Sequence, residues 1–384
     1  MNILFIHPYI PGQFEYLIND LAGDPSMRVA VLCRKLHGQV PENVLVRTYT
    51  PNLDNTTALE ECAREAGAVA LAMKQMEQED GYVPDVVYGH SGWGSLMYVK
   101  AFYPSARLIG YFEWYHCMMP EFKGAWFTNR TDDERRLYIA QMNAAFLYQL
   151  ESCDVRISPT KWQRDVFPER YRGDIRVIHE GVDTEYYAPG RKCSDEIITY
   201  VTRGMEPTRC FPAFMDAIRI VLEKRPKCHV LIAGDEKTHY GSKPQDGKTW
   251  KQMEVEKGGY DPERVHFLGW IKRKSFRTML QASTVHVYLT LPYVLSWSVL
   301  QSMSAGCCLV SSATAPVQEV VEDGVNGLLA DVNSPEEIAG KIIRALEDSE
   351  LRASLGAAAR QTVIDRYNLP DCLKIQKELI TGPA

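Results

Sequence analysis

The sequence predicts an α/β protein of two doubly wound domains, each built on a parallel sheet with helices on both faces. Strand patterns rich in Val, Ile and Leu alternate with amphipathic helical patterns along the whole chain. The alternation restarts after a turn-rich stretch at residues 181–190, which we interpret as a linker. At 384 residues the chain is long for one domain and sufficient for two.

In the first half, two polar residues of interest follow predicted strands. One strand pattern ends at His90 and the next ends at Glu113. We expect both at a ligand site, because α/β sheets bind ligands beyond the carboxyl ends of their strands. The alternative for His90 is a hydrogen-bonded structural histidine. Glu113 stands between Phe112 and Trp114, an apolar setting that raises a carboxyl pKa or requires a partner.

The second half is organised around residues 285–322, which read as strand, loop, helix and strand. β-Branched residues predict a buried strand at 285–290, and a second strand is expected at 308–311. Between them Ser296 can cap a helix that Gly306 ends. The N-terminus of this helix presents free N–H groups and the positive end of the helix dipole, which favours a diphosphate. The alternative is an ordinary crossover of the sheet without a binding role.

Two arginines, Arg203 and Arg209, follow the first predicted strand of this half. Guanidinium groups beside a strand-to-helix turn hold a diphosphate through charged, bidentate hydrogen bonds. The alternative is a solvated surface. Gly269 and Trp270 end another strand, where backbone groups could bind the edge of a nucleobase, and the alternative there is a simple turn.

Composition indicates an ordinary globular protein of a reducing compartment, and we expect it to be cytoplasmic. Hydrophobic residues make up 45% of the chain and charged residues 24%, which does not indicate disorder. Ten cysteines occur without CxxC pairs, and no pattern indicates a signal peptide, a membrane span or a metal site. The net charge of −6 divides into −7 over residues 1–190 and +1 over residues 191–384, so an anion site fits the second half better.

With these residues in place, the chain resembles the family 4 glycosyltransferases, retaining enzymes whose two-domain architecture is called GT-B. The resemblance extends over nearly the whole chain and looks closest to a bacterial branch with a PGQF-type loop. The matching motifs are PGQF at 11–14, HSGWG at 90–94, YFEWYH at 111–116, SPTKWQR at 158–164, HEGVD at 179–183, VHFLGW at 265–270, YLTLPYVLSWSVLQSMSAG at 288–306 and APVQEVVEDGVNGLLAD at 315–331.

The resemblance implies three parts of the chain and a set of site residues. Residues 1–186 would form an acceptor-side Rossmann-like domain, residues 187–366 a nucleotide-sugar-binding Rossmann-like domain across a cleft, and residues 367–384 a terminal helix that returns to the first domain. The implied donor-binding residues are Gly12, Arg203, Arg209, Trp270, Tyr293, Ser296, Trp297 and Gln301. The implied catalytic residues are Glu113, His90, Arg203 and Arg209.

The chain departs from the family at two donor positions. The family commonly carries two Glu residues separated by seven positions, and Tyr293 and Gln301 occupy those places here. Gln301 can still hydrogen-bond a ribose hydroxyl, but a neutral amide lacks the stronger charge-assisted bond. Tyr293 leaves the identity of the donor sugar open. Glu113 stands where many relatives have a histidine.

The resemblance implies a metal-independent hexosyltransferase that uses no other cofactor. It would transfer a sugar from a nucleoside diphosphate donor, expected to be a UDP-sugar, to an acceptor hydroxyl with retention of the anomeric configuration. The acceptor stays open among glycans, lipid-linked molecules, small molecules, proteins and nucleic acids, and so does the oligomeric state. The alternatives are a nucleotide-sugar epimerase on the same fold and a catalytically inactive nucleotide-sugar-binding relative.

Overall fold

The computed structural model describes residues 1–118, 131–190, 195–241, 243–244 and 247–382. These residues form two compact units. The described parts of residues 1–181, together with residues 370–382, form the first unit, and the described parts of residues 182–369 form the second. The chain therefore passes from the first unit to the second after Gly181 and returns to the first unit at Pro370.

The first unit contains a seven-stranded parallel sheet and a separate two-stranded one. The strands are β1 (Asn2–Ile6), β2 (Tyr9–Ile10), β3 (Arg28–Cys33), β4 (Lys35–Leu36), β5 (Leu45–Thr48), β6 (Val86–His90), β7 (Arg107–Tyr111), β8 (Val155–Ser158) and β9 (Ile175–Val177). The large sheet has the order β5-β3-β1-β6-β7-β8-β9, and β2 pairs with β4. The order reverses between β1 and β6, where Leu4 pairs in register with Val87.

The second unit contains a six-stranded parallel sheet. Its strands are β10 (Ile197–Gly204), β11 (His229–Asp235), β12 (Val265–Gly269), β13 (Val285–Tyr288), β14 (Leu309–Ser312) and β15 (Leu328–Ala330). They follow the order β12-β11-β10-β13-β14-β15, which reverses between β10 and β13. The predicted α/β class with two parallel sheets is confirmed. β13 ends two residues earlier than predicted. Beyond it the Thr290 N–H donates to a side chain, Ser312 Oγ, at 3.2 Å, and the Leu291 N–H donates to the Thr208 carbonyl at 3.0 Å.

Helices connect the strands throughout the described residues. They are α1 (Glu15–Ala22), α2 (Ala58–Asp80), α3 (Val99–Phe102), α4 (Asp132–Ser152), α5 (Lys161–Asp165), α6 (Glu169–Arg172), α7 (Phe211–Lys224), α8 (Trp250–Lys257), α9 (Arg273–Ala282), α10 (Trp297–Ser304), α11 (Ala315–Gln318), α12 (Pro335–Glu347), α13 (Ser349–Tyr367) and α14 (Leu369–Thr381). α4 begins with a capping box, in which Thr131 and Glu134 bond to each other's backbone N–H.

The two faces of the first sheet bury two different hydrophobic cores. Leu4 and Ile6 of β1 face a core that includes residues of α2 and α4. Ile3 and Phe5 face the opposite core, which includes residues of α1 and α14. Because successive side chains of a strand point to opposite faces, a strand that is apolar at every position requires helices on both sides.

Candidate functional site

One candidate site lies where the order of the second sheet reverses. β10 carries Arg203 close to its carboxyl end, and Arg209 ends a short 3-10 turn that follows. β13 lies beside β10, with Tyr200 opposite Val287, and is followed by the loop that leads to Ser296. Doubly wound sheets bind ligands at the carboxyl ends of the strands beside such a reversal.

Arg209 is a buried cation, with 8% of the residue exposed. Its Nη1 donates to Thr290 Oγ1 at 2.8 Å, to the Tyr288 hydroxyl at 3.3 Å and to the Val294 carbonyl at 3.3 Å. All three acceptors are neutral, and no carboxylate of the described residues lies within ion-pair distance of Arg209, although the buried Glu206 interacts with it electrostatically from further away. A buried charge is costly without a charged partner, so this position is suited to an anionic ligand.

Two tyrosines connect Arg203 to Arg209. Nη1 of Arg203, which is exposed, donates to the Tyr240 hydroxyl at 2.9 Å. The ring centres of Tyr240 and Tyr293 are 5.3 Å apart, and the guanidinium carbon of Arg209 lies 5.6 Å from the centre of the Tyr293 ring. The structure therefore brings together three of the predicted residues, Arg203, Arg209 and Tyr293.

Ser296 caps α10 as the sequence predicts. Its hydroxyl accepts the Ser298 N–H at 3.4 Å, and its own N–H donates to the Tyr288 hydroxyl at 3.0 Å. The same Tyr288 hydroxyl accepts a hydrogen bond from Arg209. Tyr288, which the sequence does not single out, therefore links the start of α10 to the buried guanidinium.

Three other predicted donor residues are not joined to this cluster by a hydrogen bond or ring contact of the described residues. Trp270 directly follows β12 and is 71% exposed. Trp297 is the first residue of α10 and is 41% exposed, while Gln301 lies one turn further along and is half-buried. The roles of these three residues stay predictions.

Glu206 belongs to the site although sequence patterns give no sign of it. The residue is fully buried, and its Oε2 accepts the N–H groups of His239 at 2.5 Å and Tyr240 at 3.0 Å. Burial raises the pKa of Glu206 above its ordinary value, although these two N–H groups oppose the rise. Glu206 therefore fixes the segment that carries Tyr240. Only folding brings this segment, more than thirty residues away in sequence, to the carboxylate.

A second cluster lies where the order of the first sheet reverses. β6 ends at His90 as predicted, while β7 ends at Tyr111, so Glu113 stands two residues beyond its strand. His90 Nδ1 accepts the Gly92 N–H at 2.9 Å, which leaves Nε2 to donate to Glu113 Oε2 at 3.3 Å. The structure therefore brings His90 and Glu113 together.

His7 also belongs to this cluster. His7 directly follows β1, and His90 is the last residue of β6. The two rings are perpendicular, with their centres 5.3 Å apart. The predicted residue Gly12 lies against it, because a Cβ at Gly12 would be 3.1 Å from His7 Cε1. The structure thus places Gly12 in the first unit beside His7. The position of His7 directly after the apolar run at residues 3–6 is a signal that could have identified it.

Residues 1–118, 131–190, 195–241, 243–244 and 247–382 contain neither a metal site nor a membrane-spanning helix. No group of three or more His, Cys, Asp or Glu side chains in these ranges is arranged to hold a metal ion. Within them no helix is both long enough and apolar enough to span a bilayer.

Solved structures of similar architecture show which fold the chain has. HepE from Anabaena, solved in complex with UDP-glucose, matches with a TM-score of 0.73 and 17% identity over 100% of both chains. Sucrose-phosphate synthase from Thermosynechococcus elongatus matches with a TM-score of 0.75 and 17% identity over 99% of this chain and 98% of that one. The chain therefore has the GT-B fold of glycosyltransferases.

Sequence comparison then identifies the family. Residues 25–187 match the glycosyl transferase family 4 group, and residues 188–362 match glycosyl transferases group 1. An uncharacterized glycosyltransferase of Methanocaldococcus jannaschii is 30% identical over 134 residues, which are 35% of this chain and 34% of that protein. The chain thus aligns with about a third of the length of this relative. The chain belongs to the family 4 glycosyltransferases, as the resemblance of its motifs predicts.

Proposed function

We propose that the protein transfers a hexosyl group from a UDP-sugar to an acceptor hydroxyl, with retention of the anomeric configuration, and that the second unit binds the donor. The observation that carries this proposal is the buried guanidinium of Arg209, whose hydrogen bonds go to neutral acceptors. Arg203 and the start of α10 lie in the same cluster. The complex of HepE with UDP-glucose supports a UDP-sugar as the donor.

The chemistry of transfer requires positive charge at the diphosphate. The bond from the anomeric carbon to the diphosphate oxygen breaks, a bond to the acceptor oxygen forms, and the acceptor gives up its hydroxyl proton. As the sugar becomes cationic, the leaving diphosphate gains negative charge. Arg203, Arg209 and the N-terminus of α10 would stabilise this charge more in the transition state than in the ground state. In this proposal they do so without a metal ion.

A non-catalytic nucleotide-sugar-binding protein is the second candidate. Tyr293 and Gln301 favour it, because they occupy positions where the family resemblance places two acids. Tyr293 covers the guanidinium of Arg209 with an aromatic ring, so this position offers no carboxylate to a donor sugar. Donor binding without turnover in the presence of any acceptor would favour this candidate over transfer.

The test replaces each arginine by alanine and measures the release of UDP during transfer. We expect Arg209→Ala to lower kcat by about 100-fold or more, the effect of removing one preorganised group that stabilises developing negative charge. Arg203→Ala should have a smaller effect, because an exposed charge is screened by solvent. Arg344→Ala is the matched control, since Arg344 is an exposed arginine on α12 of the same unit. Activity of Arg209→Ala within a few-fold of the control would refute the donor site.

A further inference from the structure

The cluster in the first unit contains a hydrogen-bond donor that the proposed function does not use, the Nε2–H of His7. His7 is buried, and its Nδ1 accepts the Tyr9 N–H at 2.9 Å, so the proton of the neutral ring lies on Nε2. Burial, followed by the neighbouring His90, holds the pKa of His7 well below its ordinary value, and the ring is neutral at pH 7. Within the described residues Nε2 makes no hydrogen bond of normal geometry.

His90 is arranged in the same way as His7, but its Nε2–H has an acceptor. Each ring accepts a backbone N–H from two residues further along the chain, which fixes the same tautomer in both. His90 then donates from Nε2 to Glu113, whereas His7 does not. A buried N–H without a well-placed acceptor is costly, so the Nε2–H of His7, whose only neighbour of this kind among the described residues is the poorly placed Gln13 side chain, is suited to an oxygen atom supplied by a ligand.

Gln13 lies beside both His7 and Glu113. Its Nε2 is 3.5 Å from Glu113 Oε1, at the limit of a hydrogen bond. Its side chain also contacts His7, and this contact opposes the lowering of the His7 pKa that burial causes. Such weak contacts leave the donor of His7 and the acceptor of Glu113 available to a better partner. Because 28% of the Glu113 side chain is exposed, a ligand can reach it from solvent.

Aromatic rings border the same cluster. The Trp93 ring centre is 5.1 Å from that of His7 and 4.9 Å from that of His90. The ring of Tyr9, which is exposed, lies 6.2 Å from Trp93. Aromatic surface beside a donor and an acceptor matches a sugar, which presents both C–H groups and hydroxyl groups.

We propose that His7 and Glu113 together bind one hydroxyl group of a sugar substrate. The hydroxyl oxygen accepts the Nε2–H of His7, and the hydroxyl proton is donated to the Glu113 carboxylate. Gln13 and His90 act as positioning residues, because each contacts one oxygen of that carboxylate. This inference rests on the proposed function, since it names the groups of the first unit that contact the substrate. The hydroxyl belongs either to the acceptor or to the donor sugar, which kinetics can distinguish.

The first experiment compares His7→Phe with His7→Gln. Phe keeps an aromatic ring but has no donor, whereas the Gln side chain offers an amide N–H. We expect His7→Phe to lower kcat/KM by about 3-fold to 10-fold, the effect of one neutral hydrogen bond, and His7→Gln to restore most of this loss. His37→Phe is the matched control, because His37 is exposed and contacts only the outer edge of this region, at Tyr9.

The kinetic parameters assign the hydroxyl to its source. A raised KM for the acceptor at saturating UDP-sugar assigns it to the acceptor. A raised KM for the donor, together with slower hydrolysis of UDP-sugar when no acceptor is present, assigns it to the donor sugar. Equal impairment of His7→Phe and His7→Gln, with equal loss of stability in urea, would show that His7 only supports the fold and would overturn the inference.

A second readout does not depend on turnover. The Nε2 resonance of His7, assigned by its loss in His7→Phe, is followed by nitrogen-15 NMR during titration with hexoses and their UDP derivatives. We expect at least one of them to shift it. If no compound shifts this resonance and the kcat/KM of His7→Phe equals that of His37→Phe, the inference is overturned. It is also overturned if no compound shifts the resonance and neither variant has measurable transferase activity. A shift in a protein that transfers no sugar supports the role of His7 while the proposed transferase function fails.

Discussion

Replacing Tyr288 by Phe tests whether one buried hydroxyl holds the proposed donor site together. This hydroxyl accepts the Ser296 N–H at 3.0 Å and Nη1 of Arg209 at 3.3 Å. Phe keeps the ring, which is buried at the end of β13, and removes only the oxygen. The variant therefore breaks the link between the guanidinium and the start of α10 with little change in core packing.

The expected loss of stability depends on which hydrogen bonds Arg209 and the Ser296 N–H keep in the variant. Arg209 retains Thr290 Oγ1 at 2.8 Å and the Val294 carbonyl at 3.3 Å, while the Ser296 N–H loses its acceptor. A buried donor left without a partner costs about 1–3 kcal/mol. Because Ser296 is only half-buried and Arg209 keeps two acceptors, we expect a loss of about 1–2 kcal/mol in the free energy of unfolding. If the hydroxyl also orients Arg209 toward the diphosphate, kcat/KM falls by about 10-fold.

The assay combines urea unfolding, followed by circular dichroism, with the release of UDP during transfer. Tyr148→Phe is the matched control, because Tyr148 is an exposed tyrosine on α4. Equal unfolding midpoints and equal kcat/KM for Tyr288→Phe and Tyr148→Phe would refute the reasoning. A loss of stability with unchanged kcat/KM would limit Tyr288 to a role in folding.

Substitutions at two further residues probe the same site. Burial raises the pKa of Glu206 in the folded state, so the unfolded chain releases this proton at a lower pH and the parent protein loses stability as the pH rises above about 4.5. In urea unfolding from about pH 4 to about pH 8, we expect Glu206→Gln to lack this loss of stability. An unchanged slope of the free energy of unfolding against pH would contradict this prediction. Tyr293→Phe keeps the ring beside Arg209 and Tyr240, so UDP affinity should stay unchanged, whereas Tyr293→Ala should weaken it by about 5-fold to 100-fold. Calorimetry with UDP measures both, and equal affinities of Tyr293→Phe and Tyr293→Ala would contradict the role of the ring.

Local interactions account for the part of the structure that the sequence predicts correctly. The cap at Ser296 and the capping box at Thr131 each join residues two or three positions apart, so their patterns are visible along the chain. The alternation of apolar strands and amphipathic helices likewise requires two parallel sheets with covered faces. The ends of strands are less well predicted, as β7 and β13 show, because a strand ends where its backbone finds other partners.

Contacts between distant residues account for what the sequence does not predict. Tyr240 lies 37 residues from Arg203, from whose guanidinium it accepts a hydrogen bond, and Tyr288 lies 79 residues from Arg209, which it links to the start of α10. Glu206 stands between the arginines in the sequence, but its role depends on a loop that follows another strand. No periodic pattern encodes such pairs.

The order of residues along the chain is enough to predict which polar residues stand at the ends of strands, and parallel strands gather those ends at one edge of each sheet. Which of these residues become neighbours depends on folding, because the order of the strands places β1 beside β6 and β10 beside β13. Folding also buries Arg209 and leaves Arg203 exposed, although both belong to one short motif. Burial depends on the strands and loops that cover a residue, and those come from distant parts of the chain.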